Sequence, residues 1–192
     1  MLKPILFNTD MVRAILDCRK TVTRRVIKPH FRPGEVGWQV ITEKHSGKYV
    51  RIEYLDEWEN ETRYMSEPFR PGDILYVRET WAEMPYGYVY RADDERPEGW
   101  DSEDRWRPSI HMPKEAARIF LRVKSVRVDR LQNITDEDIE AEGMEIGCYF
   151  DELWNSTIKP ADLETYGWEA NPLVWVIEFE RCEKEEAYEQ GN

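Results

Sequence analysis

The sequence predicts a mixed α+β domain, built mostly from antiparallel strands in a barrel-like arrangement with short flanking helices. Its strand patterns mostly follow one another directly, which favours antiparallel pairing over a βαβ arrangement. The last strand pattern, "PLVWVIEFERC", is apolar on both faces, as is typical of a central strand. With 192 residues and 41% hydrophobic side chains, the chain is large enough to bury a substantial core.

The N-terminal third contains a strand, a helix and more strands. "KPILFNTDMVRAIL" predicts a short strand followed by a helix, which Thr9 or Asp10 would cap. "TVTRRVI" alternates and is rich in β-branched residues, which predicts a second strand. "GWQVITEKHSGKYVRIEYL" predicts a β-hairpin with "HSG" at its turn.

Further strands are predicted in the middle of the chain. Residues 74–81 form one strand pattern and "GYVYRA" forms another, followed by the polar surface loop "DDERPEGWDSEDRWRPS". "ARIFLRVKSVRVDRL" predicts a long strand that bends near Lys124 and Ser125.

Helices are predicted again in the C-terminal third. "NITDEDIEAEGM" predicts a helix that Thr135 caps and Gly143 ends, and "YFDELWNSTI" predicts another. The tail "EKEEAYEQGN" is expected to be solvated. We therefore expect one domain over residues 1–182 and a flexible acidic tail over 183–192.

The charge of the chain is distributed unevenly. The formal net charge of the chain is −12. Residues 1–30 contain seven Lys or Arg and two acids, a balance of +5, so the remaining residues together carry −17. A globally acidic field repels a nucleic-acid polymer at long range. The same field opposes the binding of a small anionic or polar ligand, or of a short single-stranded segment, less strongly.

Several classes of protein and site are disfavoured by the sequence. No apolar run is long enough to cross a bilayer and the N-terminus lacks a signal-peptide core, which predicts a cytoplasmic protein without membrane association. The three cysteines are widely spaced, and His30 and His45 have no metal-ligand spacing. No glycine-rich phosphate loop is present. The sequence thus predicts neither a metal nor a cofactor.

The basic stretch "RKTVTRR" is the first candidate site. Its charged or hydroxyl side chains lie where a helix turns into a strand and can form one wall of an anion-accepting pocket. A solvated edge strand protected from aggregation by its charges is the alternative. The candidate residues are Arg19, Lys20, Thr21, Thr23, Arg24 and Arg25.

Glu142 is the second candidate, because it lies at the C-terminal end of the acidic helix. The helix dipole disfavours a carboxylate there, and a buried carboxylate with a raised pKa would suit proton transfer. A solvent-facing glutamate in an acidic helix is the alternative.

Two further segments combine aromatic and charged side chains. In "YVRETWAE", Arg78, Glu79 and Trp81 can stack on a base and bind its edge, or Trp81 can simply fill the core. In "RWRPSIHMP", Trp106 and His111 can belong to a lid over a flat base, although a structural role suits His111 equally.

The stretches "ILDCRKTVTRRV", "PGDILYVRETW" and "VWVIEFERC" together resemble the ASCH domain of the PUA-like superfamily. The resemblance covers about 110 residues in separate blocks, with insertions near 31–65, 83–113 and 145–170. It implies a curved β-barrel whose cleft accepts RNA or a modified nucleotide. The family's usual glycine before the basic signature is Cys18 here, at a turn that often requires a positive φ.

One bacterial branch of this family hydrolyses N4-acetylcytidine with a Lys, a Thr and a Glu, which the resemblance places on Lys20, Thr23 and Glu142. A lysine of lowered pKa would activate a hydroxyl or water, a protonated glutamate would serve the leaving amine, and Arg25 would stabilise the oxyanion.

Three functions remain open from the sequence. They are a nucleoside-, nucleotide- or RNA-binding ASCH domain that hydrolyses an N-acylated base, a non-catalytic RNA-binding module, and an acidic protein that engages a host protein. The last follows from a whole-length resemblance to uncharacterised phage and prophage proteins.

Overall fold

The computed structural model describes residues 2–42, 49–93, 96–102, 104–145 and 149–189. Ten strands and five α-helices lie within these ranges, together with several short 3₁₀ turns. In chain order the α-helices and strands are β1 (Leu2–Leu6), α1 (Thr9–Leu16), β2 (Val22–Val26), β3 (Gly37–Thr42), β4 (Tyr49–Leu55), β5 (Glu61–Met65), β6 (Ile74–Arg78), β7 (Trp81–Met84), β8 (Gly87–Tyr90), β9 (Phe120–Arg130), α2 (Asp136–Ala141), α3 (Phe150–Thr157), α4 (Leu163–Tyr166), β10 (Leu173–Cys182) and α5 (Lys184–Glu189).

The central sheet has five strands in the order β1-β6-β9-β10-β2. β1 pairs with β6 in parallel, and the other neighbours pair antiparallel. β3, β4 and β5 form a second antiparallel sheet, and β7 and β8 a third. The predicted α+β class, rich in antiparallel strands, is confirmed, but within the described ranges the strands form three separate sheets and no closed barrel.

The long strands β9 and β10 form the middle of the central sheet. β10 lies between β9 and β2, and most of its residues from Val174 to Phe179 are buried. The pairing register shifts between Glu178 and Phe179, which face Ser125 and Val123, so Lys124 is the extra residue of a β-bulge. The central position of β10 and the irregularity near Lys124 both agree with the sequence prediction.

The helix ends agree with the predictions in part. α1 is capped by Asn8, whose side chain accepts a hydrogen bond from the Met11 N–H, rather than by Thr9 or Asp10. Asparagine is an equally good capping residue, and the helix begins one residue earlier than predicted. Thr135 caps α2 as predicted by accepting from the Asp138 N–H, and Gly143 follows the helix with φ +88°.

Three other segments differ from the sequence prediction. The strand predicted over residues 74–81 is interrupted after Arg78, and its remainder begins β7. Residues 61–65 form the unpredicted strand β5. The tail, expected to be flexible, contains α5, because Ala187 is buried in an apolar cluster with Ile74 and Phe120. The "HSG" turn lies outside the described residues.

The main core fills the space between the central sheet, α1 and the second sheet. Its buried residues include Val12 and Ile15 of α1, Ile52 of β4, and Ile177 and Phe179 of β10. A separate cluster on β2 and β10 packs against α3. No helix among the described residues is long and apolar enough to cross a bilayer.

Candidate functional site at the edge of strand β2

A pocket of about 120 Å³ lies at the edge of the central sheet, beside β2. Residues of α1 and α3 form two of its walls, and the residues after α2 form another. The pocket is therefore where three helices surround the free edge of β2. The basic stretch is an edge strand, as the alternative predicted, but Lys20, Thr23 and Arg24 are buried rather than solvated.

Lys20 and Glu142, 122 residues apart in the sequence, meet at this edge. The Lys20 Nζ lies 2.5 Å from Glu142 Oε2, and both side chains are nearly inaccessible to solvent. The ammonium also donates to the main-chain oxygens of Val22 and Glu142, at 2.8 and 3.0 Å. All three N–H groups of the ammonium thus have acceptors.

Backbone hydrogen bonds hold this pair in place. Lys20 and Glu142 form an isolated antiparallel β-bridge, and the Thr21 N–H donates to the carbonyl of Ala141 at 2.8 Å. The end of α2 is therefore fixed to the start of β2 by the main chain. This explains why the last residues of the acidic helix, rather than its exposed face, contribute to the site.

Two backbone positions with positive φ make this close approach possible. Gly143 has φ +88°, and a Cβ on it would lie 2.6 Å from the Cβ of Ala14 and 2.9 Å from that of Lys20. Cys18 has φ +59°, so the turn before Lys20 has the left-handed conformation that glycine adopts most readily.

Arg24 extends the pair into a buried network of alternating charge. Its Nη1 lies 3.2 Å from Glu142 Oε1, and its Nη2 lies 2.7 Å from Asp138 Oδ2. Its Nε is buried without a hydrogen-bond acceptor among the described residues. Arg24 is also one of the residues that line the pocket.

Burial lowers the pKa of Lys20 from its ordinary value, and the nearby guanidinium groups of Arg25 and Arg24 lower it further. The attraction of Glu142 acts in the opposite direction.

The pocket wall itself combines the hydroxyl of Thr23 with apolar surface. Thr23 is 2% exposed and lines the pocket, and its hydroxyl makes no hydrogen bond with another described residue. Met11, Met144, Phe150 and Trp154 provide flexible and aromatic walls. A flat ring with polar groups at one edge fits such a lining.

Arg25 differs from the other basic residues near the N-terminus. Of the seven Lys and Arg in residues 1–30, six have a carboxylate within ion-pair distance. Arg25 has none among the described residues, although it donates to the carbonyl of Leu6 at 2.7 Å and lies 5.3 Å from the centre of the Phe7 ring. It is half-buried at the pocket wall.

Two residues of the predicted basic wall point elsewhere. Arg19 is exposed and donates to the carbonyl of Gly143 and to Asp17, while Thr21 is exposed. Neither lines the pocket, so of the predicted residues the structure places Thr23, Arg24, Arg25 and Glu142 at its wall, with Lys20 directly behind Glu142.

The candidates in the middle of the chain lie away from this pocket. Arg78 donates to the main-chain oxygens of Ile110 and Met112, and Trp81 is buried in the cluster that contains Ala187. Glu79 is 1% exposed and forms a two-pronged ion pair with Arg118 at 3.0 Å. Desolvation raises the pKa of Glu79, and Arg118 opposes the shift.

The predicted lid residues also lie outside the pocket wall. Trp106 packs against Trp100 with ring centres 4.5 Å apart, and His111 is exposed in a 3₁₀ turn. The structure thus gives Trp106 a packing partner in its own loop and does not bring either residue to the pocket lining.

The aromatic wall on α3 was not among the predicted site residues. Phe150, Leu153, Trp154 and Thr157 follow the i, i+3, i+4, i+7 spacing of one helical face, and all four line the pocket. This spacing in the sequence indicates an apolar face on α3. It does not indicate whether that face covers the core, the pocket or both.

The described residues contain no cluster of three or more His, Cys, Asp or Glu side chains that could hold a metal ion. Comparisons with family models, with curated proteins and with solved structures find no significant match to this chain.

Proposed function

We propose that the chain is an ASCH-type, PUA-like protein that holds one nucleobase in the β2 pocket and hydrolyses an N-acyl group from it. The observation that carries this proposal is the direct contact of buried Lys20 and Glu142 beside the free hydroxyl of Thr23. These are the three residues on which the sequence resemblance places the chemistry of an N4-acetylcytidine hydrolase.

The size and lining of the pocket support a single flat ring. A closed cavity of about 150 Å³ holds a benzene ring, and this pocket measures about 120 Å³ and is open to solvent. Phe150 and Trp154 offer aromatic surface, while Arg24 and Arg25 contribute guanidinium groups to the wall. A pyrimidine with a small acyl group on its exocyclic nitrogen matches this combination of ring surface and polar edge.

The proposed reaction is amide hydrolysis through a tetrahedral intermediate. The Thr23 hydroxyl, or a water beside it, attacks the acyl carbon and gives its proton to the Lys20–Glu142 pair. Arg24 and Arg25 stabilise the negative charge that develops on the acyl oxygen. The C–N bond then breaks, and the pair returns the proton to the nitrogen of the leaving amine. Attack by water gives the free carboxylic acid directly, whereas attack by Thr23 leaves an acyl ester on its oxygen, which a water molecule then hydrolyses to release the acid and restore the hydroxyl.

In this scheme Lys20 acts through Glu142, because Glu142 lines the pocket and Lys20 lies behind it. Lys20 is therefore a positioning and proton-sharing residue. The sequence resemblance implies that Lys20 activates the nucleophile directly, and the scheme differs in that respect.

Base binding without hydrolysis is the second candidate function. It is favoured by the full set of acceptors around the Lys20 ammonium, an arrangement that also suits a purely structural cation. The two functions share the pocket and differ only in whether the pair transfers a proton.

The test is incubation of the purified protein with N4-acetylcytidine and other N-acylated nucleosides, followed by liquid chromatography. We expect turnover by the wild type and its loss in Thr23→Val and in the charge-balanced double variant Lys20→Met/Glu142→Gln. Glu53→Gln, which alters a buried glutamate of β4 outside the pocket, is the control and should retain activity. Circular dichroism verifies that each variant is folded.

Two outcomes distinguish the candidates. Loss of turnover in both pocket variants with retention in Glu53→Gln supports hydrolysis, and an acyl adduct on Thr23 in the mass spectrum would identify the hydroxyl as the nucleophile. Absence of turnover with every nucleoside, together with saturable binding of cytidine, would replace hydrolysis by base binding.

A further inference from the structure

A second and larger concavity lies next to the pocket, between the central sheet and the sheet of β3–β5. Its volume is about 900 Å³. Residues after β2, residues of β4 and β5, and Trp175 of β10 line it. We name it the β5 groove, after the strand that supplies most of one wall; the residues used below are Arg25, Lys28, Phe31, Arg32, Arg63 and Tyr64.

The lining of the β5 groove is basic in a chain that is strongly acidic. Among the described residues, four Lys or Arg and one His line it and no Asp or Glu does, although the net charge of the chain is −12. Lys28 and Arg63 are partly neutralised from outside the lining by Asp162 and Glu35. Arg25 and the exposed Arg32 have no carboxylate within ion-pair distance among the described residues, so their charges are available to an anion.

Exposed aromatic rings accompany these charges. Phe31 is 49% and Tyr64 is 53% exposed, which is unusual for large rings that have an apolar core nearby. A guanidinium, that of Arg51, lies 4.9 Å from the centre of the Tyr64 ring, so a charge sits beside a stacking surface. Basic grooves with exposed aromatic rings are the means by which proteins hold single strands, since the charges follow the phosphates and the rings stack on bases.

Arg25 connects the two concavities. It lines both the β2 pocket and the β5 groove, and it is half-buried between them. A base in the pocket and its neighbours in the groove can therefore belong to one strand, with a phosphate near Arg25. A free nucleoside would leave the groove unused.

We propose that the β5 groove binds the part of a single-stranded nucleic acid that adjoins the base held in the pocket. The preferred ligand is thus a short oligonucleotide rather than a free nucleoside. This inference rests on the proposed function, because the base held in the pocket fixes the position of the strand along the groove. Strand binding by the groove is nevertheless measurable without any hydrolysis.

The small number of available cations sets the expected salt dependence. Each phosphate neutralised on a single strand contributes a slope of about −0.7 to the change of log affinity with log salt. With Arg25 and Arg32 as the two free cations, affinity should fall about sevenfold between about 50 and 200 mM salt. Arg32→Ala should reduce this loss to about threefold.

The experiment is fluorescence anisotropy with labelled single-stranded octamers of RNA and of DNA, titrated with the full chain. Tyr64→Ala should weaken binding about tenfold through loss of stacking, and Arg32→Ala should weaken it and flatten the salt dependence. Both side chains are exposed, so folding should be unaffected. Tyr86→Ala and Arg130→Ala remove an exposed tyrosine and an exposed arginine outside the groove and serve as matched controls.

Binding of either octamer that is lost in the groove variants and kept in the controls supports the proposal. Preference for RNA over DNA would support it and add a contact to the 2′-hydroxyl. Equal binding by wild type and groove variants would overturn it, as would complete competition by polyglutamate at equal charge, which would indicate an acidic protein partner.

Failure of this inference is separable from failure of the proposed function. If acylated nucleosides are hydrolysed equally by the wild type and Tyr64→Ala while no octamer binds, the groove proposal fails and the pocket proposal stands. If octamers bind through the groove while no acylated base is hydrolysed, strand binding is supported and hydrolysis fails.

Discussion

Replacement of Glu142 by Gln is expected to destabilise the protein by about 3–5 kcal/mol. Glu142 is 8% exposed, and its two carboxylate oxygens contact Lys20 at 2.5 Å and Arg24 at 3.2 Å. Glutamine preserves the shape and one acceptor oxygen but removes the charge. Two buried cations then lose the anion that they share, and Arg24 alone retains a second carboxylate, that of Asp138.

The magnitude follows from the closest contact. Two unit charges 2.5 Å apart attract by about 7 kcal/mol at an effective dielectric constant of about 20. Removing the carboxylate also removes the cost of burying it, which offsets several kcal/mol of that attraction. What remains is the cost of a lysine ammonium held in a buried site by two carbonyl oxygens and a neutral amide.

Urea unfolding followed by tryptophan fluorescence measures this loss. With a slope of about 2 kcal/mol per molar urea, the midpoint should fall by about 2 M. Lys20→Met should cost less, because Glu142 keeps its contact with Arg24. The double variant Lys20→Met/Glu142→Gln should be more stable than Glu142→Gln alone, since it no longer buries an unpaired ammonium.

Glu53→Gln provides the comparison, because Glu53 is 4% exposed but its partner Arg51 reaches solvent. It should cost less than Glu142→Gln. A loss below about 1 kcal/mol in Glu142→Gln, or a double variant no more stable than the single one, would refute the electrostatic reasoning.

Three further substitutions or conditions test the geometry around the pair. Gly143→Ala should destabilise by about 2–4 kcal/mol, because the new methyl group combines a strained φ with approaches of 2.6 and 2.9 Å to Ala14 and Lys20; an unchanged urea midpoint would contradict this. Cys18→Gly should raise the melting temperature by relieving up to about 1 kcal/mol at φ +59°, and a lower one would show that the thiol packs favourably. Because the folded-state pKa of Lys20 lies below its ordinary 10.5, the unfolded chain binds more protons between these two values. The stability difference between wild type and Lys20→Met should therefore shift in favour of the wild type as pH rises toward 10.5, and a shift in the opposite direction would rule out the lowered pKa.

Local patterns in the sequence were sufficient for much of the secondary structure. Thr135 and Gly143 delimit a helix through capping chemistry that involves neighbouring residues only, and the β9 irregularity follows from a polar pair within an apolar strand. The interruption of the strand after Arg78 was not predicted. Glu79, the next residue, is buried against the guanidinium of Arg118, a partner 39 residues away that no local window contains.

The residues that meet at the site could be predicted only where the sequence resemblance indicated that Lys20 and Glu142 lie together. Neither strand periodicity nor helix propensity indicates that Lys20 and Glu142 meet, because the contact depends on a β-bridge between segments more than 100 residues apart. Alternation placed Thr23 and Arg24 on opposite faces of the strand, yet both line one pocket. The regular strand begins only at Val22, and at a sheet edge residues from both faces can line the same space.

Most of the positive charge near the N-terminus is paired with carboxylates of the protein itself. The structure pairs six of the seven cations in residues 1–30 with carboxylates, so the excess of +5 over that segment is not a free basic surface. Arg25 is the exception among the described residues, and it lies between the pocket and the groove. Under the proposed function, one unpaired arginine there, with Arg32 beyond it, would suit one or two phosphates of a short strand and would be too little to hold a long polymer against the acidic remainder. The ion pairs would then limit the proposed ligand to a short anion, although this part of the sequence is the most basic.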